Sequence, residues 1–329
     1  MNTITFQCKT ITPMFLAGAN GKTPELRPPS IKAAMRFWWR AMNGHLSLAE
    51  LKKKESEIFG GSGEGEGRSK FSLRVLNLHG TPTRAKFPNQ TVAATSKGKT
   101  FQINILEYLA YGTQEYQKGI GQVFIREYYP VGTKFTIEIK YKDSIKDFPY
   151  NEILGLISQV GGLGSRSRNG FGRFVIENND FDLYEFLKKY SSLPLNDYLV
   201  FNKDSKLFKL RNSYSTWDKC LAELGKIYKS SREELEPRHQ FNKRQFIASP
   251  ILDNKRQVTL LDRHTKPYFF VIKKNFNDNT FDGQILFLHY NYLNKFDNPP
   301  DSISKLKDEF KTATDEFNKN LGSKLEVKL

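Results

Sequence analysis

Only two cysteines occur in 329 residues, Cys8 and Cys220, far apart and without a Cys-x-x-Cys pair. That argues against a disulfide framework or a zinc ribbon and for a reducing, cytoplasmic compartment. No stretch approaches the roughly 18 uncharged apolar residues that a membrane helix needs. The start, Met1-Asn2-Thr3-Ile4-Thr5-Phe6, reads as a strand, with no signal-peptide or lipidation pattern. Histidine is scarce too: His45, His79, His239, His264 and His289 are scattered, no two at ligand spacing, and each reads as a surface or packing residue. His45, just past a basic helix, and His239, next to Arg238, are the two to suspect. HD, HExxH, DxD, Walker and GxSxG patterns are missing. The Glu233-Glu234 pair falls in a charge-rich helix end, where solvation accounts for it. Metal-free RNA cleavage needs a general base and acid around a 2′-hydroxyl, and no such pair stands out. The expectation is no catalytic residue, no metal and no cofactor.

Acid is also short. Against 51 Lys and Arg stand 35 Asp and Glu, a net charge of +16. So large an imbalance implies a polyanionic partner, nucleic acid ahead of an anionic membrane. With 13% aromatic and 38% hydrophobic residues the charge belongs to a folded chain, long for one domain and comfortable for two.

What is present concentrates in two stretches. In residues 24–43, Pro28 and Pro29 hold the chain extended and Ser30 is placed to cap a helix. Winding on at about 100° per residue puts Ile31, Ala34, Met35, Trp38 and Met42 on one apolar face. Lys32, Arg36 and Arg40 form a neighbouring stripe, with Asn43 beside them. A solvated cationic face is the bland alternative. These cations lack i,i+4 acidic partners, however, and Trp39 lies at the edge of their stripe; unpaired cations beside an aromatic suit phosphates and bases.

The second stretch, residues 161–173, holds Gly161, Gly162, Gly164, Gly170 and Gly172 with Arg166, Arg168 and Arg173, between a helix and a strand. Backbone free of side-chain bulk can approach phosphates, with guanidinium groups to clamp them. The competing explanation is a tight helix-to-strand turn whose arginines point at water.

In chain order, residues 3–11 alternate as a strand. The basic helix follows, then a second helix over Leu46–Phe59 ending at Gly60-Gly61. The 61–67 run reads as a flexible connection. Phe71, Leu73 and Val75 mark a strand. Residues 81–121 form a long polar insertion with a helical patch over 103–111. Phe135, Ile137, Ile139 and Tyr141 give the clearest strand. A helix over 153–160 and a strand over Phe171–Ile176 complete the order strand, helix, strand, strand, helix, strand, the ferredoxin-like arrangement. The chain turns acidic and polar over 177–194. Beyond it lie a strand (198–210), a helix (215–229), strands at 246–251, 268–272 and 284–289, and a charged helix over 302–320. The expected fold class is α+β, with two ferredoxin-like (βαββαβ, RRM-like) domains, 1–180 and 195–329. The second is degenerate and the first carries the insertion.

Gly162-Leu163-Gly164, five residues, then Gly170-Phe171-Gly172 resembles the G-rich loop of the RAMP superfamily of CRISPR-associated RNA-binding proteins. Pro24-Glu25-Leu26-Arg27-Pro28-Pro29-Ser30-Ile31-Lys32 running into Met35-Arg36-Phe37-Trp38-Trp39-Arg40, with Glu57-Ile58-Phe59-Gly60-Gly61 downstream, narrows the match. It is similar to the first RAMP subunits of type III-B (Cmr) CRISPR effector complexes. The resemblance is dense over residues 3–176 and thin afterwards; Arg238-His239 and Ala248-Ser249-Pro250-Ile251 are faintly similar.

The resemblance implies two ferredoxin-like domains at the head of a filament wound on guide RNA. Contacts would run to the distal guide and its paired target RNA, with other RAMP subunits as neighbours and target cutting left to one of them. No membrane is involved. The candidate RNA-binding residues are Arg27, Lys32, Arg36, Trp39 and Arg40 on the helix, with Gly162, Gly164, Ser165, Arg166, Ser167, Arg168, Asn169, Gly170 and Arg173 on the loop. Two positions depart from the family pattern: Ala33 replaces a glycine, and Asn169 stands where a basic residue is common. The rival functions are a metal-independent endoribonuclease of the same superfamily that processes guide RNA, and a purely structural cap.

Overall fold

The computed structural model describes residues 1–21, 23–96, 99–237, 240–248, 252–253, 256–257, 264–291 and 300–329. Strand alternation builds the first sheet. In β1 (Asn2–Thr10), Phe6 and Cys8 point into the core. The sheet adds β2 (Phe71–His79), β3 (Lys134–Tyr141) and β4 (Phe174–Ile176), in the order β2-β3-β1-β4. All neighbours are antiparallel; Phe6 faces Ile137 and Cys8 faces Phe135 across β1 and β3.

Two helices join β1 to β2. The first, α1 (Pro28–Met42), buries Ile31, Met35, Trp38 and Met42. Its N-cap is Arg27 rather than Ser30, without a side-chain cap; Pro28 opens the helix, where its missing N–H costs nothing. The second, α2 (Leu48–Phe59), starts with a capping box in which Ser47 and Glu50 satisfy each other's backbone N–H. The 61–67 run is closed rather than a loose connection. Gly61 N donates to Gly67 O at 3.2 Å, and Gly63 N donates to the Glu66 carboxylate at 2.8 Å.

The long insertion before β3 is structured. Two hairpins, Thr91–Ser96 with Lys99–Asn104 and Gln114–Gln117 with Gly121–Phe124, flank a short helix, α3 (Ile105–Leu109). After β3, α4 (Tyr150–Leu156) runs into a π turn over Ile157–Gly161, which delivers the chain to the glycine loop.

The second half starts from α5 (Leu183–Lys188), whose Leu183, Phe186 and Leu187 are buried. It continues with β5 (Lys206–Lys209), α6 (Trp217–Glu233), β6 (Tyr268–Lys274), β7 (Phe281–Phe287), α7 (Pro300–Lys324) and β8 (Glu326–Val327). Its sheet order is β6-β7-β5-β8, antiparallel throughout. That connectivity repeats the first sheet's. Two expectations change here. The strand over 198–210 is confined to β5, and residues 244–247 are helical where a strand over 246–251 was expected. Residues 249–251 and Arg238-His239 lie outside the described residues.

The two halves share a core. Trp38 stacks on Phe201 at 5.8 Å between ring centroids and meets Phe269 at 5.5 Å, both residues of the second half. Cys8 and Cys220 are buried and free. Among the described residues, no helix is long and apolar enough to cross a membrane. The chain is a mixed α/β protein built on antiparallel sheets.

Candidate nucleic-acid interface

The sequence-derived candidates fall into two separate places. On α1, the cationic stripe faces α2 rather than an open groove. The Arg36 guanidinium donates to the carbonyls of Phe59 and Gly60 at the end of α2 and lies 3.7 Å from Glu55. Arg40 lies 3.4 Å from the same carboxylate. The acidic partner missing from α1 is supplied by the neighbouring helix. Lys32 sits 5.0 Å over the Phe71 ring, and burial, followed by Arg36, holds its ammonium below the ordinary lysine pKa. Trp39 is buried, its ring edge-on to Phe59 at 6.1 Å, so it offers no face to a base. Arg27, at the helix start, lies 4.0 Å from Glu25.

On the loop, close chain packing takes up the glycines. Gly164 (φ 89°) and Gly172 (φ 70°) sit in the left-handed region, and a Cβ at either would collide with a backbone carbonyl, of Phe15 and Leu163 respectively. Leu163 N donates to Gly172 O at 3.0 Å and Ser165 N to Phe15 O at 2.8 Å, so the loop is cross-laced to itself and to its neighbours. Gly162, Gly170 and Gly172 are buried, while Gly164 is exposed. The glycines let chain segments touch each other. Arg173 is likewise internal. It is fully buried and donates to the carbonyls of Ser167 (2.8 Å) and Phe270, lashing the loop to the second sheet. Burial pushes its guanidinium down to about 9.

The remaining loop residues, Ser165 to Asn169, open into a cleft of about 1050 Å³ at the seam between the halves. Arg166 is exposed there with a left-handed φ of 60°. Arg168 donates to Lys266 O at 2.7 Å and lies over the Phe269 ring at 4.9 Å; burial lowers its pKa to about 10. Asn169 donates to Leu109 O (2.8 Å) and accepts from the Lys266 ammonium (2.8 Å). A cation thus stands beside Asn169, supplied from the second half. Lys266 is wedged over Tyr228 (4.4 Å) and Phe270 (5.0 Å), and burial, with Arg168, Arg232 and Arg166 nearby, pushes its pKa down to about 7. The insertion contributes Tyr108 and Tyr111, the segment between it and β3 contributes Arg126, whose Nη1 donates to Ser165 Oγ at 3.3 Å, and α6 contributes Arg232. None of the described residues lining the cleft is acidic, and five are cationic: Arg126, Arg166, Arg168, Arg232 and Lys266.

Most of this lining was not singled out from sequence. Tyr108 and Tyr111 lie in the insertion and Arg126 just beyond it, where basic and aromatic residues mixed in a polar run were the available signal. Lys266 carries no local signal and gains its meaning only across the seam. The cleft also holds a histidine that had not been suspected. His264 Nε2 is 2.8 Å from Gln245 O, and Nδ1 is 3.3 Å from both the Tyr290 hydroxyl and Thr265 O. Burial lowers its pKa, against the two backbone carbonyls that raise it. His45 is exposed beyond α1, and His239 lies outside the described residues. Among the described residues, no group of three or more His, Cys, Asp or Glu is placed to hold a metal.

Comparisons with known proteins converge on one family. Two Pyrococcus furiosus proteins are similar in sequence. CRISPR system Cmr subunit Cmr1-2 is 26% identical over 180 residues, 52% of this chain and 94% of that one. CRISPR system Cmr subunit Cmr1-1 is 29% identical over 168 residues, 50% of this chain but 44% of the relative's length. The crystal structure of Cmr1 from Pyrococcus furiosus, in its apo form, superposes over 99% of this chain and 98% of its own with a TM-score of 0.58; at 20% identity that likeness shows a common fold. The RAMP superfamily's model matches residues 7–175. That span runs from β1 through the glycine loop into β4 and covers half of the sequence, so the chain belongs to the RAMP superfamily.

Proposed function

We propose that this chain is an RNA-binding, non-cutting subunit of a type III-B (Cmr) CRISPR effector complex, working in the cytoplasm. In this reading it caps the head of the filament, contacts guide RNA and its target RNA through phosphates, and neighbours other RAMP subunits. The two like-connected sheets are read as two ferredoxin-like units, 1–180 and 195–329, with the RNA lying at their seam. The observation that carries the reading is the cleft, with five cations and no acid among its described lining residues. Arg168, Arg232 and Arg166 stand close enough to Lys266 to add to burial in lowering its pKa, and cations so packed gain from a polyanion that offsets their repulsion.

The test is binding of end-labelled single-stranded RNA by the full chain in EDTA across a salt series. Binding should be steep in salt and tolerant of sequence, with the RNA left intact. Arg126→Ala should weaken it across all sequences and flatten the salt slope by about 0.7 for each phosphate that the variant no longer neutralises. Binding indifferent to salt and to Arg126 would sink the reading.

One observation favours the endoribonuclease alternative: His264 lies in the cleft beside Arg168. Both its ring nitrogens face protein oxygens, an arrangement that suits a staple better than a proton shuttle. Discrete cleavage products that vanish with His264→Ala would establish the nuclease instead.

A further inference from the structure

We propose that the cleft takes an unpaired stretch of RNA and that Tyr111 is its base-stacking residue, with Tyr108 alongside; this rests on reading the cleft as an RNA site. The placement follows from the insertion's fold. Helix α3 buries Ile105, Leu106 and Leu109, the first and last of them packing against α6 where Gly225 leaves room. The other side of this short turn then faces outward, leaving Tyr108 38% and Tyr111 72% exposed at the cleft.

Each tyrosine has a guanidinium as neighbour. Arg232 Nη1 lies 3.5 Å from the Tyr108 hydroxyl. Gly112, next to Tyr111, turns with φ 85°, and a Cβ there would strike the Arg166 guanidinium. Two exposed rings and two guanidinium groups thus share one part of the cleft. Rings that can take bases beside cations that can take phosphates suit a single strand. A duplex hides its base faces in the stack and could use only the cations.

The experiment uses the full chain and three fluorescently labelled probes of one length, a single-stranded RNA, its duplex and its abasic counterpart, with the single strand titrated at several salt concentrations. The single strand should bind tighter than duplex or abasic RNA. Tyr111→Ala should lower single-strand affinity roughly five- to hundredfold. It should leave the salt slope and the abasic affinity unchanged, and Tyr111→Phe should restore binding. Because Tyr111 is exposed, its variants should melt like the parent, which keeps a folding defect from imitating the result.

Binding of single strand and duplex alike, or a Tyr111→Ala loss shared by abasic RNA, overturns stacking while leaving the cleft an RNA site. If no RNA binds, the reading of the cleft falls and stacking falls with it. RNA binding untouched by Tyr111→Ala, with loss instead of association to another protein subunit, would make the tyrosines a protein-docking face.

Discussion

Lys266 shows how much one residue's neighbours can change its chemistry. Its ammonium is buried among Tyr228 and Phe270, with Arg166, Arg168 and Arg232 nearby and Asn169 as hydrogen-bond acceptor. Burial comes first and the neighbouring cations second in lowering its pKa from 10.5 to about 7. Below about pH 7 folded and unfolded chains both carry the proton, and stability has no slope from this group. Between 7 and 10.5 the unfolded chain alone carries it. The unfolded state then binds more protons and stability rises with pH, by at most about 1.4 kcal/mol per pH unit. Lys266→Met keeps the aliphatic stem and removes the titration. Chemical denaturation of both chains from pH 6 to 10 should show the parent gaining on the variant as pH rises, while the other lysines and tyrosines cancel in the difference. Parallel curves would mean that the ammonium is not held in this environment.

At the scale of elements, Arg36 and Arg40 clamp α1 to α2. Arg36 satisfies carbonyls at the end of α2, where orphan acceptors are otherwise left to water, and shares Glu55 with Arg40. Removing it with Arg36→Ala should cost about 1–2 kcal/mol, since its hydrogen bonds are charge-assisted but partly exposed. RNA affinity should change little, in contrast to Arg126→Ala. A strong loss of RNA binding with unaltered thermal stability would return the stripe to the RNA site.

The clamp also marks the limit of what could be read from sequence. Period-two alternation placed β1, β2 and β3, because a strand with one buried face keeps that trace, whereas β6 was legible as a continuous apolar run buried on both faces. The wheel of α1 found its buried residues. It could not show that α2 would cover the stripe and Trp39, since helix-to-helix packing leaves no periodic signal in either helix alone. The hairpins at 91–104 and 114–124 were missed for a related reason. Several of their positions are exposed, so little alternation survives. At the glycine loop the spacing was legible but not its use. Gly164 and Gly172 answer to Phe15 and Leu163, neighbours that only the folded chain provides.

At the scale of the whole molecule, the two like-connected sheets do not behave as beads on a string. Trp38 from α1 packs on Phe201 and Phe269, while Arg173 and Arg168 reach the backbone of Phe270 and Lys266. The cleft's walls come from both halves, so whatever separates the halves dismantles the site. Trp38→Ala should cost about 3–5 kcal/mol as a large buried ring removed from a packed seam. The loss should be felt on both sides. Amide hydrogen exchange followed by mass spectrometry reads this directly, because core strands that open only in global unfolding exchange with a common free energy. In the parent, peptides from β1 and β3 should open together with those from β6 and β7, and Trp38→Ala should lower protection of all four by a similar amount. Protection lost in β6 and β7 but kept in β1 and β3 would show that the halves fold independently. In that case the seam is a docked surface, and the cleft is a site that opens and closes without unfolding.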